Sequence, residues 1–193
     1  MSVATALQGA IEERKARISG FVERLRLLPR GEKAALKRNA GNTLAEERNT
    51  VGLFFRLLPY GTPEHDEEIY FLIATLIGHN ERAFEGDFGR TMRMIKDRTG
   101  QESIDRRFAI LLDSDFALVD GYKNGGGELA YRMRQCVKLA GSREVGVDWP
   151  QLLEDLLLWN RPDRRIRKKW ARSYYGAKVE KHETTKENEG GND

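Results

Sequence analysis

The most informative segment of the chain extends from Asp148 to Gly176 and reads DWPQLLEDLLLWNRPDRRIRKKWARSYYG. It predicts two consecutive helices, the first amphipathic and the second strongly basic. Asp148 is a suitable N-cap, and Gln151 three residues later completes a capping-box pattern. Pro162 suits the first turn of the second helix, and Gly176 suits its end.

The second of these helices has an apolar stripe and a basic stripe. At 100° per residue, Ile166, Trp170 and Tyr174 share one side. Five cations share the opposite side: Arg161, Arg164, Arg165, Lys168 and Arg172. Only one carboxylate, Asp163, lies within the segment, so pairs inside the helix cannot offset the repulsion. We therefore favour contact with a nucleic-acid backbone over a merely solvated charged face.

The distribution of charge along the chain supports that interpretation. The net charge is only +3, but residues 121–178 carry 13 basic and 6 acidic side chains, a net charge of +7. Residues 1–120 carry 18 basic and 19 acidic side chains, and residues 179–193 carry 2 and 5. The basic field lies in the C-terminal third, where it would speed encounter with phosphates.

The single cysteine, Cys136, excludes an internal disulfide and fits a reducing compartment. It shares a helical stripe with Met133, Val137 and Ala140, which indicates core packing rather than a reactive thiol. The chain has no apolar run of membrane-spanning length and no signal-peptide pattern. We expect a soluble, cytoplasmic protein that does not bind membranes.

Helical periodicity dominates and no segment shows strand alternation, so the predicted fold class is all-α. The predicted helix bounds follow the apolar periodicity and the prolines and glycines that interrupt it: 3–18, 21–28, 32–40, 44–58, a helix capped by Thr62, 103–112 and 129–140. Residues 44–58 carry the apolar stripe Val51, Phe54, Phe55 and Leu58, and residues 69–77 are expected to form the buried centre of the first half. Residues 124–127, NGGG, predict a flexible loop.

The same pattern predicts four parts of the chain. A boundary near Gly100 separates two packing units, with glycines also at 86 and 89. The parts are an N-terminal extension (1–20), an N-terminal helical bundle (21–100), a C-terminal basic helical bundle (101–178) and a disordered acidic tail (179–193).

The sequence lacks the residue patterns of common catalytic and metal sites. His65, His79, His182 and the cysteine have no ligand spacing, and NGGG lacks the Lys and Ser or Thr of a P-loop. Asp-Phe-Gly at 87–89 imitates a kinase motif by chance, and Asp-Ser-Asp at 113–115 suits caps and turns. We expect a binding protein that is not an enzyme and has no metal, cofactor or small-molecule substrate.

Four segments, in order, carry a resemblance to a known family: Leu36–Arg38, Phe54–Pro59, an Arg106-Arg107-Phe108 helix start followed by Leu111–Asp115, and Asp148-Trp149-Pro150 leading to Trp159, the basic cluster and Trp170–Tyr175. Together they span roughly residues 21–176. The ordered set resembles the CasB family, the small subunit of the type I-E CRISPR surveillance complex Cascade.

The resemblance implies an elongated all-α protein of two small helical bundles without enzymatic activity. Two copies would associate head to tail beside the backbone and large subunits of the complex. The expected partners are those subunits, the CRISPR RNA, and target and non-target DNA. Basic faces would stabilise the R-loop, chiefly by guiding the displaced non-target strand, while base pairing supplies sequence specificity.

The residues carried over as nucleic-acid contacts are all cations: Lys37, Arg38, Arg107, Arg132, Arg134, Lys138, Arg161, Arg164, Arg165 and Lys168. Tyr122, Tyr131 and Tyr175 are possible stacking platforms, although packing between helices is favoured for each. The three tryptophans, at 149, 159 and 170, are assigned to the core or a subunit interface. Two alternatives stay open: a structural spacer making protein contacts only, and an independent helical DNA-binding regulator.

Overall fold

The computed structural model describes residues 3–119, 122–123 and 126–176. In this part of the chain nine α-helices follow one another: α1 Val3–Leu27, α2 Arg30–Arg38, α3 Val51–Leu57, α4 Glu64–Leu76, α5 Phe88–Thr99, α6 Ser103–Asp113, α7 Gly127–Ser142, α8 Trp149–Leu157 and α9 Arg165–Tyr175. The described residues also form two 3-10 turns, Leu44–Glu46 and Ile77–His79. A short antiparallel hairpin consists of β1 Leu118–Val119 and β2 Tyr122–Lys123. The all-α fold class is confirmed. The predicted acidic tail and half of the NGGG loop lie outside the described residues.

Helix α4 occupies the centre of the molecule. Every residue from Ile69 to Ile77 is buried, as the nearly continuous apolar run predicts, and α2, α7 and α8 pack around it. Three carboxylates in its first turn, Glu64, Asp66 and Glu67, complement the helix dipole. Its predicted cap is wrong, because the helix begins after Pro63 and the Thr62 hydroxyl instead donates to the Pro59 carbonyl oxygen at 2.7 Å.

Helix α1 is continuous where two helices were predicted. Gly20 does not interrupt it, and residues 18–21 contain no proline or other residue that would end the helix there. Its second half buries Ile18, Phe21, Val22 and Leu25, whereas residues 7–13 are exposed. The predicted N-terminal extension is therefore mostly the exposed beginning of a packed helix.

Residues 44–58 form a 3-10 turn and the short helix α3, not one helix. Asn49 takes a left-handed conformation between them, with φ 61°, and Thr50 donates from both its backbone nitrogen and its hydroxyl to Glu47. The buried face of α3 differs from the predicted stripe. Phe54 and Leu57 are buried, whereas Val51 and Phe55 from the predicted stripe are about half exposed.

Packing joins the two predicted bundles closely. Helix α5 packs mainly on α9, and α8 packs on α1 and α4, so both sets of contacts cross the predicted boundary at residue 100. The buried side chains form one connected hydrophobic core from Ile18 to Tyr174. The division at residue 100 and the elongated shape stay predictions.

The α5–α9 contact explains the Asp-Phe-Gly motif. Asp87 caps α5 by accepting from the Arg90 backbone nitrogen at 3.0 Å, and it also accepts from the Ser173 hydroxyl at 2.6 Å. Gly89 lies so close to α9 that an added Cβ would be 2.2 Å from the Trp170 carbonyl oxygen. The motif therefore serves helix capping and close packing.

The stretch from Asp148 to Gly176 folds as the two predicted helices, with changes at each start. Asp148 caps α8 by accepting from the Gln151 backbone nitrogen at 3.1 Å. The capping box is incomplete, because the Gln151 side chain donates forward to Asp155 at 3.0 Å. Helix α9 begins only at Arg165, so Pro162 lies in the linking turn and not in the helix.

All three tryptophans lie in the core, as predicted, with side chains at most 1% exposed. Each indole N–H is satisfied: Trp149 donates to the Asn80 carbonyl at 2.9 Å, Trp159 to the Ser114 carbonyl at 3.1 Å, and Trp170 to the Asp155 carboxylate at 2.6 Å. These bonds anchor α8 and α9 on the rest of the core.

Candidate nucleic-acid interface

Cations from two helices converge beside the 3-10 turn that follows α4. The α2–α7 cluster consists of Lys37 from α2, His79 from the turn, and Arg134 and Lys138 from α7. Two glycines allow this approach. A Cβ at Gly78 would lie 3.3 Å from the Lys37 Cβ, and a Cβ at Gly41 would lie 2.7 Å from Nη1 of Arg134.

The electrostatics of the α2–α7 cluster are unbalanced. Burial of the His79 imidazole, followed by the charges of Lys37, Lys138 and Arg134, lowers its pKa to about 4. Among the described residues, none of these three cations has a carboxylate within ion-pair distance. In that same part of the chain, Nε2 of His79 and Nε of Arg134 are buried without a hydrogen-bond partner. The cluster is a concentration of positive charge that an anion would relieve.

Arg38 ends α2 next to Lys37 and is exposed. Arg132 and Arg134 lie on different sides of α7, because two residues correspond to 200° around a helix. Arg132 pairs with Glu128 at 3.2 Å and lies 5.6 Å from the Tyr131 ring centroid. The structure thus separates Arg132 from the α2–α7 cluster.

Arg132 is grouped instead with the exposed Arg107 of α6. Both guanidinium groups are close enough to Cys136 to favour its thiolate, but burial dominates and raises the pKa of that thiol to about 12. The predicted core position of Cys136 is confirmed, since its side chain is 4% exposed.

The third basic group is the α9 cluster: Arg161, Arg164, Arg165 and Lys168. All four side chains are exposed, opposite the buried Ile166, Trp170 and Tyr174, as the two-stripe pattern predicts. Arg161 and Arg164 precede the helix, and Arg164 takes a left-handed conformation with φ 49°. Within the described ranges no carboxylate pairs with any of the four.

Helix α7 connects the α2–α7 cluster with the neighbourhood of the α9 cluster. Near its start, the Leu129 backbone nitrogen donates to the Asp115 carbonyl at 3.1 Å, and Asp115 borders a cleft of about 390 Å³ together with Arg161 and Arg164. Lys138 lies nine residues beyond Leu129, or roughly 13 Å along the helix axis. Cations therefore follow α7 from one end towards the other.

Two cations of α9 that lie outside the predicted set of contacts have structural roles. Arg167 is 7% exposed, pairs with Asp115, donates to the Leu112 carbonyl at 3.3 Å and lies 5.1 Å from the Trp159 ring centroid. Lys169 donates to the buried Asp155 at 3.0 Å. Burial raises the pKa of Asp155, while hydrogen bonds from Trp170, Lys169 and Gln151 act in the opposite direction.

The candidate stacking residues differ in their contacts. Tyr175 is half exposed, but its ring packs on Tyr174 with centroids 4.6 Å apart. Tyr131 is 54% exposed and lies beside Arg132. The side chain of Tyr122 is outside the described part of the molecule.

Across residues 3–119, 122–123 and 126–176, no three His, Cys, Asp or Glu side chains are grouped so that they could hold a metal ion. No described helix combines the length and apolar character needed to cross a membrane.

Fold and surfaces together define a class: a small all-α protein with several basic groups, most of whose cations have no carboxylate partner among the described residues. The chain belongs to the CRISPR-associated protein Cse2 family, whose model matches residues 32–175. The family predicted from the sequence motifs is thereby confirmed, since CasB and Cse2 name the same set of relatives.

Several relatives support this assignment. A CRISPR-associated protein Cse2 from Thermus thermophilus is 32% identical over 146 residues, which cover 70% of this chain and 78% of the relative. The crystal structure of CasB from Thermus thermophilus has a TM-score of 0.63 at 28% identity, covering 84% of this chain and 98% of that one. M. ruber CasB gives a TM-score of 0.63 at 27% identity over 82% and 92%. A chain of a CRISPR RNA-guided surveillance complex shares the fold, with a TM-score of 0.66 at 17% identity over 84% and 93%.

Proposed function

We propose that this protein is the non-catalytic small subunit of the type I-E CRISPR RNA-guided surveillance complex, Cascade, and acts in the cytoplasm. Its basic surfaces bind nucleic acid and stabilise the R-loop, chiefly through the displaced non-target strand. Its partners are the backbone and large subunits, the CRISPR RNA, target and non-target DNA, and a second copy associated head to tail. Membership of the Cse2 family supports the proposal, as does a shared fold with a chain of an RNA-guided surveillance complex.

The observation that carries the nucleic-acid part is the α2–α7 cluster. Lys37 and, about a hundred residues later, Arg134 and Lys138 are held around one neutral imidazole at a cost in mutual repulsion. Among the described residues, none of these three cations has a carboxylate partner within ion-pair distance. A phosphate backbone supplies the missing negative charge. Such contacts position a strand without reading its bases, which suits a complex in which base pairing with RNA supplies the sequence specificity.

The α9 cluster extends the proposed contact. Its four cations are exposed, and the helix that carries Arg165 and Lys168 is fixed from behind by its buried aromatic stripe and by the inward Arg167 and Lys169. A rigid row of cations is suited to contacting successive phosphates of a single strand.

The alternative of an independent helix-turn-helix regulator is disfavoured. Seven residues separate the end of α8 at Leu157 from the start of α9 at Arg165, and Trp159 within them is buried. A helix-turn-helix requires a turn of three or four residues between its helices.

The test is the salt dependence of single-strand binding, measured by fluorescence anisotropy with a labelled strand and by the same assay in the reconstituted RNA-bound complex. Two triple variants are compared with wild type: Lys37/Arg134/Lys138→Gln and Arg161/Arg164/Arg165→Glu. The matched control is Lys15/Arg17/Arg90→Gln, which also removes three cations, none of which belongs to either cluster. Circular dichroism and melting temperature establish that each variant is folded.

Removal of three phosphate-binding cations in either cluster variant should reduce the slope of log K against log salt by about 2, since each single-strand phosphate contributes about 0.7. The control should keep the wild-type slope. If both cluster variants bind the strand as wild type does, the nucleic-acid role is refuted. If they bind it normally but fail to assemble, the cations make protein contacts and the spacer function is correct.

A further inference from the structure

A cleft of about 180 Å³ lies between α6 and α7, on the side of α7 that carries Arg132. We call it the α6–α7 cleft. Arg107 and Ile110 line it from α6, and Tyr131, Arg132, Gln135 and Leu139 line it from α7. The buried Cys136 also lines it.

The lining combines apolar, amide and aromatic groups. Ile110 and Leu139 offer apolar contact, and Gln135 offers both a donor and an acceptor. Tyr131 is 54% exposed, although burial of a large aromatic side chain is favourable. A flat heterocycle with polar edges matches this set, since its faces suit aromatic and apolar contact and its edges suit an amide.

The two arginines add charge at the same place. Arg107 is exposed, and within the described residues it has no carboxylate partner. Arg132 is held in position by Glu128 at 3.2 Å and lies 5.6 Å from the Tyr131 ring centroid, so its guanidinium is already oriented beside the cleft. A base in the cleft would therefore have cations available for the phosphate attached to its sugar.

We propose that the α6–α7 cleft accepts one unpaired nucleobase of a bound single strand, with Tyr131 as its stacking platform and Arg107 as the contact of the adjoining phosphate. This inference rests on the proposed function, because the strand must first be held by the neighbouring cations. A strand is the source rather than a free nucleotide, since Lys138 of the α2–α7 cluster lies seven residues from Tyr131, about two helical turns, and therefore on the same side of α7.

The neutral state of Cys136 is consistent with this role. Burial keeps its thiol protonated at neutral pH, so the sulfur acts as apolar wall and not as a nucleophile or metal ligand.

The experiment compares two labelled probes, an oligothymidine strand and a strand of equal length made of abasic deoxyribose phosphates. Both have the same phosphates, but only the first has bases. Wild type, Tyr131→Ala, Tyr131→Phe and Tyr175→Ala are measured against each, at several salt concentrations. Tyr175 is the matched control because its exposed fraction is 50%, close to that of Tyr131, and its ring packs on Tyr174 instead of lining the cleft.

Tyr131→Ala should weaken oligothymidine binding at least about fivefold and leave abasic binding unchanged, since stacking is lost only where a base is present. Tyr131→Phe keeps the ring and should bind within about twofold of wild type. Tyr175→Ala should bind both probes as wild type does. The salt slope should be the same for wild type and Tyr131→Ala, because stacking releases no counterions.

Normal salt-dependent binding with no loss in Tyr131→Ala would overturn the cleft assignment and leave the proposed function intact. Absence of salt-dependent binding to either probe would overturn the proposed function itself, and the inference with it. Thymidine monophosphate that binds alone, in a Tyr131-dependent manner and without competing with the strand, would also overturn the inference by making the cleft a free-nucleotide site.

Discussion

Replacing Gly89 with alanine should destabilise the protein, although alanine is the better helix former. Gly89 is the second residue of α5, where α5 meets α9. A Cβ there would lie 2.2 Å from the Trp170 carbonyl oxygen and 2.8 Å from the Trp170 carbonyl carbon and Cα. Because these are backbone atoms, no change of rotamer relieves the overlap.

The magnitude follows from the geometry. Favourable carbon–oxygen approaches are about 3.3 Å or longer, so α9 must retreat by about 1 Å or the Asp87–Ser173 bond and the Trp170 packing must distort. Overpacking of this kind costs about 1–3 kcal/mol or more, whereas the helix preference for alanine returns at most about 1 kcal/mol. We expect Gly89→Ala to lower the free energy of unfolding by about 2 kcal/mol, and the melting temperature by about 4–8 °C for a chain of this size.

The measurement is urea unfolding followed by circular dichroism, with Gly20→Ala as the control. Gly20 lies inside α1, and a Cβ there meets only the flexible Arg24 Nη1, at 3.5 Å. That variant should be more stable than wild type by up to about 1 kcal/mol. A Gly89→Ala protein that unfolds at or above the wild-type urea midpoint would refute the packing argument.

Two further predictions concern titration and buried hydrogen bonds. The pKa of His79, about 4 in the folded state, lies below its ordinary 6.5, so the unfolded chain binds more protons between these values and stability falls as pH drops from 6.5 to 4. A shift of one pKa unit corresponds to about 1.36 kcal/mol. After a discount for solvent screening, the shift of His79 should lower the free energy of unfolding by about 2 kcal/mol across this pH range. Urea midpoints of wild type and His79→Gln should therefore diverge below pH 6.5, and parallel pH profiles would contradict this. Asp155→Ala should lower the free energy of unfolding by about 3 kcal/mol, because it leaves the Trp170 N–H buried and unpaired. Asp155→Asn keeps an acceptor for that N–H and should lower it by about 1 kcal/mol. Equal losses for the two variants, measured by urea unfolding, would show that the charge matters more than the acceptor.

Periodicity made α9 and α4 predictable from the sequence. Ile166, Trp170 and Tyr174 recur at helical spacing, and all three are buried. The apolar run from Ile69 to Ile77 predicts a buried element, and the carboxylates just before it, suited to the positive end of a helix dipole, indicate that the element is a helix. In both cases local pattern and tertiary packing require the same arrangement.

Helix ends were less predictable, because competing hydrogen bonds decide them. The Thr62 hydroxyl could cap α4 but donates to Pro59, and the Gln151 amide could return to Asp148 but donates to Asp155. The partner that wins in each case depends on the path of the chain outside the helix, which propensity does not describe.

The candidate site likewise combines features that helical periodicity predicts with features that depend on tertiary packing. Exposure of the α9 cluster follows from helical position, but the convergence of Lys37 with Arg134 and Lys138 depends on how α2 and α7 pack, across about a hundred residues of sequence. The sequence did contain one unused signal. Arg167 lies 100° from Ile166 and beside the buried stripe, where a cation requires a carboxylate partner, and Asp115 supplies it.

The inward ion pairs of α9 also bear on the thermodynamics of binding. Arg167 with Asp115 and Lys169 with Asp155 attach the helix to the core before any strand arrives. Because no segment of α9 has to fold for the proposed contact of its outward cations with phosphates, little conformational entropy should be lost and little apolar surface newly buried. Association through this helix should therefore have a small heat-capacity change and be driven mainly by the release of ions to the solvent.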